Sequence, residues 1–550
     1  MSDSPPRGGW FVLEHPSRVF APENFNDQQR LIAQTAEAFA QQEVVPAVDT
    51  IERRDLPALR QLLRRAGELG LTAADIPEEY GGMGMDGAAS AIIADHLAVN
   101  GSFSVAFGAH AGIATLPLVH FGNEEQKRKY LPKLASAAWV GAYALSEAGS
   151  GSDALALRTQ AEPAPGGGEY LLNGEKMWIS NAGLADLFTV FAKVGDKVTA
   201  FLVEAGFPGV STGAEENKMG IHGSSTRPLL LRDARVPAAN VLGEIGGGAH
   251  IAFQILNVGR FKLGAACIGG ARNLLRATIA YARERHAFGK PIASFGLVQE
   301  MLAQSVAGLY AAEAAVYRTA GLMPLHGLEE YAVECSIIKV AASEMLDRIV
   351  DAAVQIHGGN GFVHGNPAER AFRDARVNRI FEGTNEINRL LTAGLLLRRA
   401  RSGALPLPAA IAAVTSDLLG APARYEPCEA ARRVALLVAG VAYRRFGERL
   451  ADEEEALAAI ADLLLHLYLM QSVTARNAAC PAAALAVEEG LDKMEWIAKR
   501  ALAAISEGDE LRTQLAWLKR LFRRDPVNLV ALRRRIAAAA IEAGQYPYRI

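Results

Sequence analysis

Cysteine is scarce. Four occur in 550 residues, Cys267, Cys335, Cys428 and Cys480, and no two of them form a CxxC pair. That spacing argues against a zinc site and against a disulfide framework, and it fits a reducing compartment. Excess charge of either sign is also missing. The formal net charge is −3, so no overall basic field would recruit nucleic acid. The opening stretch, MSDSPPRGGWFVLEHPSRVF, has no basic region followed by an apolar core, and no secretory leader is expected. Long apolar runs are few. The greasiest, Leu457 to Met470, is interrupted by Asp462 and His466 and reads as too short to span a bilayer. The expectation is a cytoplasmic protein, at most peripheral to the inner face of a membrane.

What is present is the composition of a globular chain, 50% hydrophobic and 21% charged, long enough for two to four packed units. Gln28 to Val45 and Pro57 to Leu71 carry apolar residues at three- and four-residue spacing, which predicts helices. Near residue 140 the period changes. Short apolar runs at 170–172, 177–179, 187–192 and 199–203 are separated by Asn173-Gly174, Asn181-Ala182-Gly183 and Gly195-Asp196, and they predict strands joined by turns. That signal ends near Pro237, and helical patterning resumes at Ala249 and lasts to about residue 400. Gly403 to Pro408 reads as a linker, and the remainder is Ala-, Leu- and Arg-rich and helical. No internal repeat is evident.

Four segments carry candidate chemistry. Tyr143 to Asp153 (YALSEAGSGSD) sets short hydroxyl side chains among glycines, so backbone N–H groups can approach a ligand; an ordinary surface loop would look the same. Its Gly-Ser-Gly-Ser is not GxGxxG, and neither is Gly243 to Gly248, which argues against a dinucleotide phosphate loop. Asn173 to Asn181 carries Trp178 and Ser180, two apart and therefore on one face of a strand. They suit a flat ring and its polar edge, or equally a core indole beside a solvated serine. Arg283 to Lys290, with Gln299 beyond, is a helix-terminal basic cluster that suits a pyrophosphate or simply a solvated helix end. Gln355 to Gly361 breaks a helical pattern with three glycines, and Arg379 to Glu386 follows. There Glu382 sits among Ile380, Phe381 and Gly383, where desolvation would push its carboxyl toward a useful base; a salt-bridge partner of Arg379 is the bland alternative. His357 and His364 are seven apart, which suits no common helical metal spacing.

Taken in this order, the segments resemble the acyl-CoA dehydrogenase family over residues 26–400, and the helical extension resembles its very-long-chain branch with the bacterial relatives. The resemblance implies a mainly α fold with a central β-barrel: a helical domain at 26–140, the barrel at 141–245, a four-helix bundle at 246–402, and a helical extension at 410–550. It implies FAD, held between these domains and across a subunit interface, with Ser146, Trp178 and Ser180 on the flavin ring. Ser152 would lie on the flavin phosphates or CoA, and Arg285, Phe288 and Gln299 on the pyrophosphate and adenosine. Gln355, Gly358 and Gly359 would reach FAD from the neighbouring subunit, Thr384 and Glu386 would lie beside its phosphate and adenine ends, and Glu382 would be the catalytic base. Some members place the base just before an arginine that here is Arg260. That position is Gly259, and no Asp or Glu occurs between Glu244 and Glu284, which also argues against an isovaleryl-type enzyme. The chain departs from the family pattern at Ala148, where a proline is expected, and at Ser180, a threonine in many members.

The implied reaction is α,β-dehydrogenation of an acyl-CoA thioester to a trans-2-enoyl-CoA in fatty acid β-oxidation, on long chains by analogy. Electrons would pass to an electron-transfer flavoprotein, and a homodimer is expected. An acyl-CoA oxidase and a scaffold built on a dehydrogenase fold are the rival readings. Leu511, Leu515, Leu518 and Phe522, flanked by Lys519, Arg520, Arg523 and Arg524 and followed by Arg533 to Arg535, could contact an anionic membrane through the extension. Packing as an extra helical layer is the alternative.

Overall fold

The computed structural model describes residues 7–327, 329–420 and 424–548. Residues 1–6 of the stretch searched for a leader lie outside the described residues. Two compact units make up the chain, one of residues 25–270 with 373–383 and the other of residues up to 24, 271–372 and 384 onward.

The first unit begins with helices α1 (Asp27–Phe39), α2 (Val45–Glu52), α3 (Leu56–Glu68), α4 (Gly87–His96), α5 (Gly101–Gly108), α6 (Leu116–Phe121) and α7 (Glu124–Ala135). Asn26 and Asn123 start α1 and α7 with complete capping boxes, which satisfy orphan N–H groups at each end. One eight-stranded sheet follows: β1 (Gly141–Ala144), β2 (Gln160–Pro163), β3 (Glu169–Ser180), β4 (Leu187–Val194), β5 (Lys197–Glu204), β6 (Val210–Thr212), β7 (Thr226–Pro237) and β8 (Val241–Leu242). Its order is β6-β7-β3-β2-β4-β5-β8, with β1 parallel to β4. Leu172, Phe188, Val190, Phe201, Leu229 and Val236 fill its core.

Asn173-Gly174 does not turn the chain. It lies inside β3, where the pairing with β7 slips between Leu172 and Gly174 and again between Lys176 and Ile179. A Cβ on Gly174 would stand 2.4 Å from Thr159 Oγ1, so the glycine serves close strand packing at a bulge. The turns at Asn181–Gly183 and Gly195–Asp196 are as expected.

Helix α8 (Gly248–Glu284) leads to a hairpin of β9 (His286–Ala287) and β10 (Lys290–Pro291). The second unit then contains α9 (Gly296–His326), α10 (Ala332–His357), α11 (Gly359–Phe362), α12 (Pro367–Ala375, which runs into the first unit at its end) and α13 (Asn385–Arg401). The extension supplies α14 (Leu407–Leu419), α15 (Pro427–Phe446), α16 (Glu454–Asn477), α17 (Pro481–Ile505), α18 (Gly508–Leu521) and α19 (Leu529–Ala543). It shares a unit with α9, α10 and α13 and packs against α9 through α16, α17 and α19. The stretch read as a linker is a short bend at 403–406 that runs straight into α14, with Leu405 and Leu407 buried.

Among the described residues, length and composition alone would let three helical stretches cross a membrane, Gly101–Phe121, Gly248–Glu284 and Glu454–Asn477. The last corrects the expectation for Leu457 to Met470: Asp462 and His466 do not end the helix, which runs for 24 residues. Two thirds or more of each apolar window is buried within the protein. The basic amphipathic stretch turns inward as well. Leu518 and Phe522 are buried, while Arg524 pairs with Glu488 and Asp492, Arg533 with Glu300 and Glu489, and Arg520 donates to the Leu418 and Gly420 carbonyls.

Candidate functional site

The segment Arg373–Gly383 belongs to the sheet-containing unit and is pinned there. Asp374 accepts from the Ile221 N–H, Arg373 donates to the Met219 carbonyl, and Gly220 lies so close to Arg373 that a side chain would not fit. At its end Glu382 and Gly383 both adopt left-handed backbone, φ 58° and 80°. Arg260 Nε donates to the Glu382 carbonyl at 3.1 Å, and Arg260 is itself held by Asn257 Oδ1 at 2.8 Å. The carboxylate of Glu382 occupies the space that a side chain at position 259 would take: a Cβ on Gly259 would lie 2.5 Å from Oε2. Tyr143 is buried nearby, and burial first, then the Glu382 charge, raises its phenol well above the ordinary value. The carboxylate is thus aimed by its backbone, and the empty position 259 makes room for it.

The same unit holds the first two motif segments. Met177 N–H donates to the Ser146 carbonyl at 2.9 Å, which brings the loop after β1 against β3. Trp178 has φ 57° and is 54% exposed, Ile179 is buried and Ser180 is half-buried, at a register slip where simple strand alternation does not hold. Ser152 is exposed on the loop.

The other unit holds the rest. Arg285 is exposed just after α8, and Phe288, φ 51° and 94% exposed, tops the hairpin with its ring 6.0 Å from that of Phe295. Gln299 Nε2 donates to the Ala293 carbonyl. Gln355 is exposed in the last turn of α10, which Gly358 ends at φ 58°; nothing lies within 4 Å of a Cβ built on Gly358 or Gly359. Tyr281 stacks on His357 at 4.2 Å and donates to its carbonyl, so the end of α8 and the glycine loop are joined. Thr384 caps α13 by accepting from the Ile387 N–H, and Glu386 is exposed in its first turn, where a helix N-terminus favours negative charge. Among the described residues no cluster could hold a metal.

Non-glycine residues at positive φ are costly, by about 1–3 kcal/mol each, and persist where the surroundings impose them. Eight occur among the described residues, and three are Trp178, Phe288 and Glu382. In one unit an exposed indole beside a hydroxyl suits a flat heteroaromatic ring; in the other, taken by itself, an exposed arginine and a glycine loop open to close approach suit a diphosphate. Sequence reasoning missed the buried neighbours that aim these groups. Tyr143 and Glu147 lie within the first motif and Lys176 within the second, but each reads as an ordinary strand or loop residue; a lysine between apolar strand residues was the available signal.

Comparison with known proteins finds four family domains along the chain. Acyl-CoA dehydrogenase N-terminal, middle and C-terminal domains match residues 26–138, 142–234 and 246–397, and a further acyl-CoA dehydrogenase C-terminal domain matches 430–520. A probable acyl-CoA dehydrogenase of Bacillus subtilis (strain 168) is 44% identical, covering 98% of each chain. The very long-chain specific acyl-CoA dehydrogenase of human mitochondria is 43% identical over 59% of this chain and 51% of that one. A crystal structure of an acyl-CoA dehydrogenase complexed with FAD from Bacillus anthracis superposes with a TM-score of 0.95 at 43% identity, covering 98% of this chain and all of the other.

Proposed function

The chain belongs to the acyl-CoA dehydrogenase family, and on that premise we propose that Glu382 is the base of an FAD-dependent α,β-dehydrogenation of long-chain acyl-CoA thioesters. The observation that carries this reading is the placement of Glu382: left-handed backbone, carbonyl held by Arg260, and carboxylate seated against Gly259. When bound, FAD accepts the hydride that leaves the substrate β-carbon. Arg285, Phe288, Gln299, Gln355, Gly358, Gly359, Thr384 and Glu386 would hold its phosphates and adenosine, and Ser146, Ser152, Trp178 and Ser180 its ring and the CoA end.

The protein's own work is on the proton. An α-hydrogen of a thioester is weakly acidic, and a carboxylate removes it only if the developing enolate oxygen finds donors already in place. In this reading the thioester carbonyl accepts from the Glu382 backbone N–H, while a Glu382 carboxylate oxygen takes the α-proton. Arg260 keeps both in register by holding the carbonyl of the same residue.

The finer assignments rest on the relatives. The match to very long-chain specific enzymes supports long acyl chains, and the family resemblance supports an electron-transfer flavoprotein as acceptor, with the exposed Trp178 as its place of approach. The four-segment organisation (26–140, 141–245, 246–402, 410–550) follows the order of the motifs. A homodimer is supported by Phe288, Phe362 and Val363, apolar side chains left exposed between β9 and β10 and at the end of α11, all in one unit. A cytoplasmic location is the simplest one; membrane contact through the extension would have to use the exposed Lys519, Arg523, Arg534 and Arg535.

Anaerobic bleaching of the flavin by saturated acyl-CoAs of increasing length tests the reading. Glu382→Gln should slow bleaching by on the order of 10²–10⁴-fold, the usual contribution of a general base, while FAD binding is retained. Desaturation at the parental rate by that variant would overturn the assignment. Peroxide yield with and without an artificial acceptor separates a dehydrogenase from an oxidase.

A further inference from the structure

Beneath the two motifs that present Ser146, Ser152, Trp178 and Ser180 lies a buried ion pair to which the reaction assigns no task. Lys176 is fully buried in β3, two residues before Trp178, and its Nζ donates to Glu147 Oε1 at 2.7 Å and to the Leu145 carbonyl at 3.2 Å. Glu147 is buried in the loop after β1, one residue past Ser146. Its other bonds run to the start of β2: Oε2 accepts from the Arg158 N–H at 2.6 Å, and Oε1 from the Thr159 N–H and hydroxyl at 3.1 and 2.6 Å. The loop is closed on itself by the paired backbone bonds of Glu147 and Ser150, with the Ser150 hydroxyl donating to the Asp153 carbonyl. One carboxylate therefore ties three things together: the serine loop, the start of β2, and the strand that carries the indole.

We propose that Glu147 and Lys176 are a positioning pair, which sets the spacing of the Ser146–Ser152 loop against Trp178–Ser180 and so builds the flavin-ring face without touching ligand. This rests on the function proposed above. Two observations favour it over a purely structural role. First, the pair sits at the second β3–β7 slip, between Lys176 and Ile179, where ladder bonds do not fix the strand and Trp178 takes its left-handed backbone. Second, the ion pair is dear to keep. Desolvation pulls the Lys176 ammonium down to about 8 against the opposing pull of Glu147, the charged group found to act on it, and well-packed apolar residues would often serve stability as well. The surviving pair offers what an apolar plug cannot, directional bonds to fixed backbone points.

The test compares FAD affinity with stability. Apoprotein of the full chain is titrated with FAD for the parent, Lys176→Met, the double variant Glu147→Gln/Lys176→Met, and Val236→Ala, which hollows the same sheet core where β7 pairs with Tyr170, away from the pair. Each is measured well below its melting temperature. Lys176→Met should weaken FAD binding by about tenfold or more, the scale of coupling within one polar network, and should shift the visible flavin band. The double variant, which leaves no lone buried charge, should show the same two changes even where Lys176→Met folds poorly. Without flavin, Glu147→Gln should hasten tryptic cleavage after the exposed Arg158, whose own N–H loses its acceptor where Oε2 becomes an amide nitrogen. Parental affinity and spectrum in the double variant would overturn the proposal, as would equal changes in Val236→Ala. A parent chain that takes up no FAD would overturn the functional reading itself, and this inference with it.

Discussion

At the scale of single residues, Gly259 and Glu382 divide one volume between them. Gly259→Ala adds a methyl to the interior of α8, where alanine is favoured over glycine by up to about 1 kcal/mol. The same methyl would stand 2.5 Å from Glu382 Oε2 and must turn the carboxylate aside. The expected variant is no less stable in urea but at least about tenfold slower in turnover, since a misplaced base loses much of its advantage. Glu334 offers a different test. It is buried on α10, accepts the Gly9 N–H at 2.7 Å, and burial pushes its carboxyl up to about 7. A carboxyl raised in the folded state contributes stability that is present below its unfolded value near 4.5 and lost as pH rises through about 7. Glu334→Gln keeps the acceptor and removes the charge. It should lie close to the parent at pH 4.5 and exceed it by roughly 3 kcal/mol at pH 8 in denaturant unfolding, on the scale of about 1.4 kcal/mol per unit.

Among elements, β3 shows best where local signals mislead. Asn173-Gly174 has hairpin chemistry, yet the strand continues because Gln160 of β2 pairs with Asn173 and Thr159 packs on Gly174. Gly174→Ala should destabilise the protein by about 1–3 kcal/mol, since the Cβ would meet Thr159 backbone and side chain alike. Thermal unfolding would show it, and an unchanged melting temperature would mean the bulge relaxes freely. Elements with strong periodicity were legible: the helices around Gln28 and Pro57, the strands at 187–192 and 199–203, and the stop of α10 at Gly358. Each owes its form to residues within it. The bulges of β3 owe theirs to neighbours distant in sequence.

For the whole molecule the question is whether the extension is an appendage. Arg476 on α16 is buried and pairs with Glu313 on α9 and Glu23 near the N-terminus, both at 2.7 Å, while Tyr546 Oη donates to Glu313. Gln471 Nε2 reaches the Phe11 carbonyl, and Arg272 completes the cluster on Glu313. The extension is therefore fastened to both the bundle and the first residues of the chain. Arg476→Met should cost about 3–5 kcal/mol in denaturant unfolding, because Glu313 would lose one of its buried partners. The loss should appear in one cooperative transition shared by bundle and extension; a separate early transition for the extension would argue that it folds alone.

The sequence by itself determined the chemistry-bearing residue types, their order, and the alternation of helical and strand periods, because each is a property of neighbours along the chain. It also leaves position 259, just before Arg260, without a carboxylate, while the choice of Glu382 as base is what the family resemblance implies. Only the tertiary structure decided how that carboxylate is aimed, why position 259 must lack a side chain, what holds the serine loop to the indole strand, and that the extension shares the bundle's core. Those depend on close approach between segments far apart in sequence, where a tenth of a nanometre separates fit from clash and no local pattern records the distance.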